Sequence, residues 1–142
     1  MKYHFRIHRD GRGYWAEGVE LPGCSTQAES MTALRKNMAE ALNLYLDESP
    51  EFDGDLPAPR KRVTGKFIEA VSVEPRVALA VQLRQIRKRR GITQKQAAQM
   101  LGFKGLYSYQ RLESPKTANP EWATVVRIKR VFPEMCLDDL AA

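Results

Sequence analysis

From residue 2 to residue 8 apolar and polar positions alternate without a break. Tyr3, Phe5 and Ile7 stand on one side and Lys2, His4, Arg6 and His8 on the other, a period of two that predicts a strand with one buried face. Asp10-Gly11-Arg12-Gly13 reads as a turn, and residues 14–19 as a second strand folding back as a hairpin closed by Leu21-Pro22-Gly23. Residues 24–27 predict a short third strand. At Ser30, a helix cap, the period changes. Met31, Leu34, Met38, Ala41, Leu42 and Tyr45 recur at spacings of three and four, so an amphipathic helix over 31–47 packs on the sheet while Arg35, Lys36, Asn37 and Glu40 face water. Residues 48–59, with Pro57-Ala58-Pro59, read as a surface loop, and alternation returns at 67–73 as a last strand. The first module is β-β-β-α-β over residues 1–73.

Beyond it the pattern is helical. Pro75 suits a first helical turn, after which Leu79, Leu83 and Ile86 face inward, Arg84, Arg87, Lys88 and Arg90 face out, and Gly91 ends the helix. Residues 92–113, ITQKQAAQMLGFKGLYSYQRLE, then read as two short helices joined by a glycine-marked turn. Thr93 is an N-cap, Gln96 three residues later completes a capping box, and Ile92 staples onto Ala97. Ala97, Ala98 and Leu101 make a small-residue inner face, and Gly102 can take the left-handed conformation that ends the helix. In the second helix Phe103, Leu106, Tyr109 and Leu112 line one side, while Tyr107, Ser108, Gln110 and Arg111 point the other way. Asn119-Pro120-Glu121 starts a further helix with Trp122, Val125, Val126, Ile128 and Phe132 on its apolar side, ended by Pro133. Residues 74–142 form a mostly helical domain.

Charge sharpens this division. Residues 1–64 carry 9 Lys/Arg and 10 Asp/Glu, whereas residues 65–142 carry 14 and 7, so the excess of +6 belongs to the second half. A basic module next to a near-neutral one fits contact with a phosphate backbone, although charge alone fits a solvated face equally well. The two cysteines, Cys24 and Cys136, form no CxxC pair and read as reduced thiols. The charged, alternating start of the chain is not a signal peptide, and no apolar run spans a bilayer. The expectation is a soluble cytoplasmic protein with no membrane partner.

Catalytic chemistry finds little footing. His4 and His8 are read as solvent-facing strand histidines, four residues apart with no third ligand, so no metal is expected. Asp10, Glu17, Glu20 and Glu29 fall in turns and strand ends with nothing forcing them together as a nuclease-like carboxylate cluster. Gly11 and Gly13 precede a strand, not a helix N-terminus, and are turn glycines. No catalytic residue and no cofactor are assigned. The run Arg87-Lys88-Arg89-Arg90 favours a helix C-terminus by its dipole and gains value only from its position beside the two short helices. Those helices carry the specific expectation. A recognition helix lies in the major groove with the preceding helix's N-terminus on the backbone, which assigns Gln94, Lys95, Lys104, Tyr107, Ser108, Gln110 and Arg111 to DNA.

LRQIRKRRGITQKQAAQMLG, residues 83–102, closely resembles the repressor-type (XRE/Cro-like) helix-turn-helix family, and Arg111-Leu112-Glu113 resembles that family's recognition-helix ending. Phe103-Lys104-Gly105 makes the turn one residue longer than is usual there. In the first half, two strands, then VELPGCSTQAE at 19–29, an amphipathic helix and a Leu-Pro-x-Pro loop resemble the HicB antitoxin family. The two resemblances, in this order, imply an α+β protein: a partial ribonuclease-H-like toxin-binding domain without activity, followed by an all-α helix-turn-helix domain. They further imply an antitoxin that sequesters a HicA-type ribonuclease toxin and represses its own operon. Its partners would be that toxin, double-stranded operator DNA, and itself as a homodimer or higher even oligomer. Glu17, Glu20 and Glu29 are the acidic contacts offered to the toxin. A free-standing transcriptional regulator with a small-molecule sensor module is the main alternative; a residual nuclease ranks last.

Overall fold

The computed structural model describes residues 1–47 and 56–142, which build a mixed α/β protein. Among the described residues are a four-stranded antiparallel sheet and six helices. They fall into two compact units, Met1–Val73 and Glu74–Ala141.

In the first unit β1 (Lys2–Asp10) and β2 (Gly13–Gly18) form the hairpin, β3 (Ser25–Ala28) follows, α1 (Met31–Asp47) crosses the sheet, and β4 (Ile68–Ser72) completes it. The order is β3-β2-β1-β4, so β1 is interior, with Phe5 opposite both Gly18 and Glu69. Gly11 at φ +56° makes the tight turn between the paired Asp10 and Gly13. Tyr3, Phe5 and Ile7 point into the core with Ala16, as the alternation requires, and meet Leu34, Met38, Leu42 and Leu46 of α1. The buried stripe of α1 repeats every four residues, which leaves Met31, Ala41 and Tyr45 half-buried at its margins. Ser30 caps α1 through Ala33 N–H to Ser30 Oγ at 3.2 Å. The first part of the expected 48–59 loop lies outside the described residues; in the rest, Leu56 is buried and Pro57 accepts the Tyr3 hydroxyl at 3.0 Å.

His4 corrects the reading of the strand's second face. It is buried, with its ring Nδ1 2.6 Å from Glu20 Oε1 and its backbone N–H donating to Glu20 Oε2 at 2.9 Å. The cause is tertiary: the turn after β2 returns against β1, Val19 N–H donating to His4 O at 2.8 Å, and carries Glu20 inward.

In the second unit α2 (Pro75–Arg89), α3 (Gln94–Met100), α4 (Leu106–Glu113), α5 (Trp122–Val131) and α6 (Asp138–Ala141) enclose one core. It is built from Leu79, Leu83, Ile86, Ala97, Ala98, Leu101, Tyr109, Leu112, Ile128, Phe132 and Met135. Pro75 begins α2, and Gly91 at φ +64° ends it, Gly91 and Ile92 N–H donating to Lys88 and Arg87 carbonyls. Residues 77–84 of α2 are buried without interruption, more than a one-sided amphipathic helix implies. Arg84, expected to face water, is therefore inside, donating to the Glu113 carbonyl at 3.3 Å. Gln82 is buried at no polar loss, because its amide both donates to Cys136 O and accepts from Cys136 N–H.

Two more expectations give way here. Asn119 does not cap α5, which begins at Trp122 after Glu121 and makes no side-chain cap bond. Trp122 is 73% exposed, and only Ile128 and Phe132 of the expected apolar side reach the core, because the short helix turns its first turn outward. The terminal turn α6 had no signal in the sequence pattern. No described helix is long and apolar enough to cross a membrane.

Candidate functional site

The pair α3–α4 is set by backbone chemistry before any contact with a ligand. Gln96 N–H donates to Thr93 Oγ1 at 3.1 Å and Thr93 N–H to Gln96 Oε1 at 2.8 Å, the reciprocal capping box that fixes where α3 starts. Gly102 at φ +73° ends it, with Phe103 N–H returning to Ala98 O at 2.9 Å. Arg127 of α5 adds a cation to that C-terminus, donating to Leu101 O at 3.1 Å. After the turn, Gly105 precedes α4 and gives it no side-chain cap. Leu106, 41% exposed, and the half-buried Phe103 sit shallower than their spacing suggested, because α4 begins at Leu106 and its first turn stands off the core.

What anchors α4 is a buried carboxylate. Glu113 accepts Arg87 Nε at 2.5 Å and the Tyr109 hydroxyl at 2.5 Å on one oxygen, and Arg87 Nη2 at 3.2 Å and Gln94 Nε2 at 2.9 Å on the other. Three helices are thereby tied through one side chain, α2 by Arg87, α3 by Gln94 and α4 by Tyr109. Burial alone would raise the Glu113 pKa, but the bonds from Arg87, Tyr109 and Gln94 outweigh it and hold the carboxyl below its ordinary range. The same burial, reinforced by the nearby carboxylate, pushes the Tyr109 hydroxyl well up, so it remains a donor. Gln94 Oε1 in turn accepts Gln110 Nε2 at 3.2 Å, which orients an otherwise exposed amide.

The seven residues assigned to DNA divide accordingly. Lys95, Lys104, Tyr107, Ser108, Gln110 and Arg111 are all exposed, whereas Gln94 is half-buried and serves to position Gln110. Of the basic run at the end of α2, Arg87 is committed to Glu113 and Arg90 to Glu134 at 2.7 Å, with its guanidinium 4.9 Å over Phe132. Arg89 between them is exposed. Sequence reasoning missed Glu113 and Arg87 as the clamp. Tyr109 and Glu113 at i,i+4 were a legible pair, but the link to Arg87 spans 26 residues and has no local signal.

The three acids assigned to a protein partner are not brought together. Glu29 is exposed just past β3. Glu17 on β2 lies 3.1 Å from His8 Nε2, and the His8 ring stacks on Trp15 at 4.0 Å. Glu20 is corrected outright as a surface contact: its side chain is 1% exposed, and its oxygens also receive the Arg60 N–H. Burial would raise its pKa, but the bonds from His4 and Arg60 prevail and lower it. No group of three or more His, Cys, Asp or Glu suited to a metal occurs among the described residues. The Cys24 thiol is buried, which pushes its pKa up to about 11 and keeps it protonated.

Comparison with known proteins adds one relative. No family model matches the chain. A UPF0150 protein of Archaeoglobus fulgidus is 42% identical to it over 60 residues, a stretch covering 38% of this chain and 87% of the relative.

Proposed function

Because this chain belongs to the UPF0150 family, which is HicB-like, we propose that it is the antitoxin of a type II toxin-antitoxin system. In this reading residues 1–73, a partial ribonuclease-H-like module without catalysis, bind and neutralise a HicA-type ribonuclease. Residues 74–142 carry a helix-turn-helix that represses the operon, and the protein works in the cytoplasm as an even-numbered homo-oligomer. The observation that carries the DNA half is the two-sidedness of α4. Tyr109, Leu112 and Glu113 lock one side into the core, while Tyr107, Ser108, Gln110 and Arg111 all stand exposed on the other.

Physical chemistry supports that division of labour. Glutamine and arginine can bond adenine and guanine edges bidentately in a major groove, and Lys95 and Lys104 are exposed and so free to meet backbone phosphates in this reading. Gln110 reaches a base with its amide already oriented by Gln94, so less side-chain freedom is lost on binding. With α4 starting at Leu106, Tyr107 and Ser108 occupy its first turn and Gln110 and Arg111 the next.

A footprint of the full chain on the DNA upstream of its own gene, with and without the product of the neighbouring gene, tests both halves. Two protected half-sites, modulated by the neighbour's product, are expected. An unprotected promoter refutes the repressor half, and a footprint indifferent to a neighbour that also fails to co-purify refutes the antitoxin half.

A further inference from the structure

We propose that the open face of the first unit's sheet binds single-stranded RNA. Tyr3, Phe5, Ile7 and Ala16 turn to the α1 side, so alternation and register put Lys2, Arg6 and His8 of β1, Trp15 and Glu17 of β2 and Gln27 of β3 on the other. The unit's one described helix, α1, covers only the first side. Gln27, Trp15 and His8 stand in one row across three strands, and the His8 and Trp15 rings stack, centroids 4.0 Å apart and 16° from parallel. β4 pairs with β1 only as far as Arg6, opposite Ile68, so no β4 residue stands across from His8 and the row of planar groups ends open there. A nucleobase can extend such a row, because every base presents a π-face.

Charge selects an anionic strand. The segment carrying the exposed Arg60, Lys61, Arg62 and Lys66 is tied to this same side of the sheet at two points. Arg60 N–H donates at 3.2 Å to Glu20 Oε1, the oxygen that also meets the His4 ring, and Gly65 lies so close to Ile68, Arg6's neighbour across the ladder, that a Cβ on it would stand 2.8 Å from Ile68 Cδ1. Together with the exposed Lys2 and Arg6 these cations border the face, and none of them has an ion pair among the described residues. The acids on that side are already engaged or offset: Glu20 is buried against His4, Glu17 lies 3.1 Å from His8, and Asp10 shares its turn with Arg12. Stacked rings beside cations suit a nucleic-acid strand better than an acidic polypeptide, and paired bases in a duplex could not reach them. Glu17 favours RNA over DNA, since its carboxylate accepts a 2′-hydroxyl, as does the exposed Ser25 hydroxyl of the residue opposite it. The proposal does not depend on the antitoxin or operator readings.

The full-length chain with Trp122→Phe keeps Trp15 as its only tryptophan, so a base stacking at this face is read as quenching of that one ring. Titration with an unstructured RNA of about 12 nucleotides at low salt is expected to quench it saturably, with affinity about tenfold or more weaker for the Lys61→Glu, Arg62→Glu variant and for DNA of the same sequence. Both substitutions sit at exposed positions outside any helix or strand, so the fold is retained and circular dichroism verifies it. The Lys104→Glu, Arg111→Glu variant, altered on the helix pair assigned to operator DNA, is expected to leave the Trp15 response unchanged, which separates failure of that assignment from failure of this one. A Trp15 signal indifferent to RNA overturns the proposal, even if the chain retains RNA on a filter. So do quenching that survives Lys61→Glu with Arg62→Glu, equal quenching by the DNA strand or by polyglutamate, and quenching lost with Lys104→Glu and Arg111→Glu.

Discussion

Replacing Glu113 by alanine tests whether one carboxylate aligns the three helices. The variant removes four hydrogen bonds at once, two from Arg87 and one each from Tyr109 and Gln94. Breaking a buried ion pair by deleting one partner costs about 3–5 kcal/mol, because the survivor is left charged and uncompensated. Here the Arg87 side chain is 16% exposed and keeps a bond to Ile92 O, so partial hydration places the cost near the low end, about 3 kcal/mol. In a helical unit of this size that corresponds to a fall of roughly 12–24 °C in thermal midpoint. Urea unfolding followed by circular dichroism measures it, with Arg87→Ala and the double variant closing a cycle whose coupling should be about 1.5–3 kcal/mol. The pH dependence gives an independent check. The Glu113 pKa is lowered in the folded protein, so its contribution is fully present above the unfolded carboxylate value of about 4.3 and is lost as pH falls through the folded value. Wild type should lose stability faster than Glu113→Ala on acidification below pH 4. A cost under about 1 kcal/mol, or parallel acid profiles, refutes the clamp.

Other consequences are smaller but separable. On the proposed DNA reading, Arg111→Ala should weaken operator binding by about 1–3 kcal/mol and relax preference at one base pair, whereas Lys104→Ala should weaken all sequences alike and reduce the salt slope by about 1, both read by titration at several salt concentrations. Gly102→Ala should destabilise by about 1–2 kcal/mol in thermal unfolding, since φ +73° is strained for alanine even though the nearest atom to its Cβ is 3.9 Å away. Thr93→Ala should cost about 1 kcal/mol and expose the first turn of α3 to hydrogen exchange, because it deletes half of the capping box. Glu20→Ala should destabilise the first unit by about 1–3 kcal/mol, leaving the His4 N–H and ring without their acceptor; a variant as stable as wild type contradicts the burial argument.

What the amino-acid sequence determined by itself is whatever depends on neighbours along the chain. The alternation of Tyr3, Phe5 and Ile7 required a strand, the three-four spacing of Leu34, Met38 and Leu42 required a helix, and Thr93 with Gln96, Gly91 and Gly102 marked helix ends by local bonding and φ. The exposed side of α4 was legible for the same reason: a helical period assigns Tyr107, Ser108, Gln110 and Arg111 to one direction. Only the tertiary structure decided what each charge does. His4 and Glu20 lie sixteen residues apart and Arg87 and Glu113 twenty-six, separations over which no periodicity speaks. A charged residue at an outward position is read as solvated until a second element arrives to pair with it. That is why Glu20 and Arg84 went inside; the uncharged Gln94 is likewise held by a later element, between Glu113 and Gln110, and Phe67, read as the start of a strand, stands exposed at φ +60° just before β4.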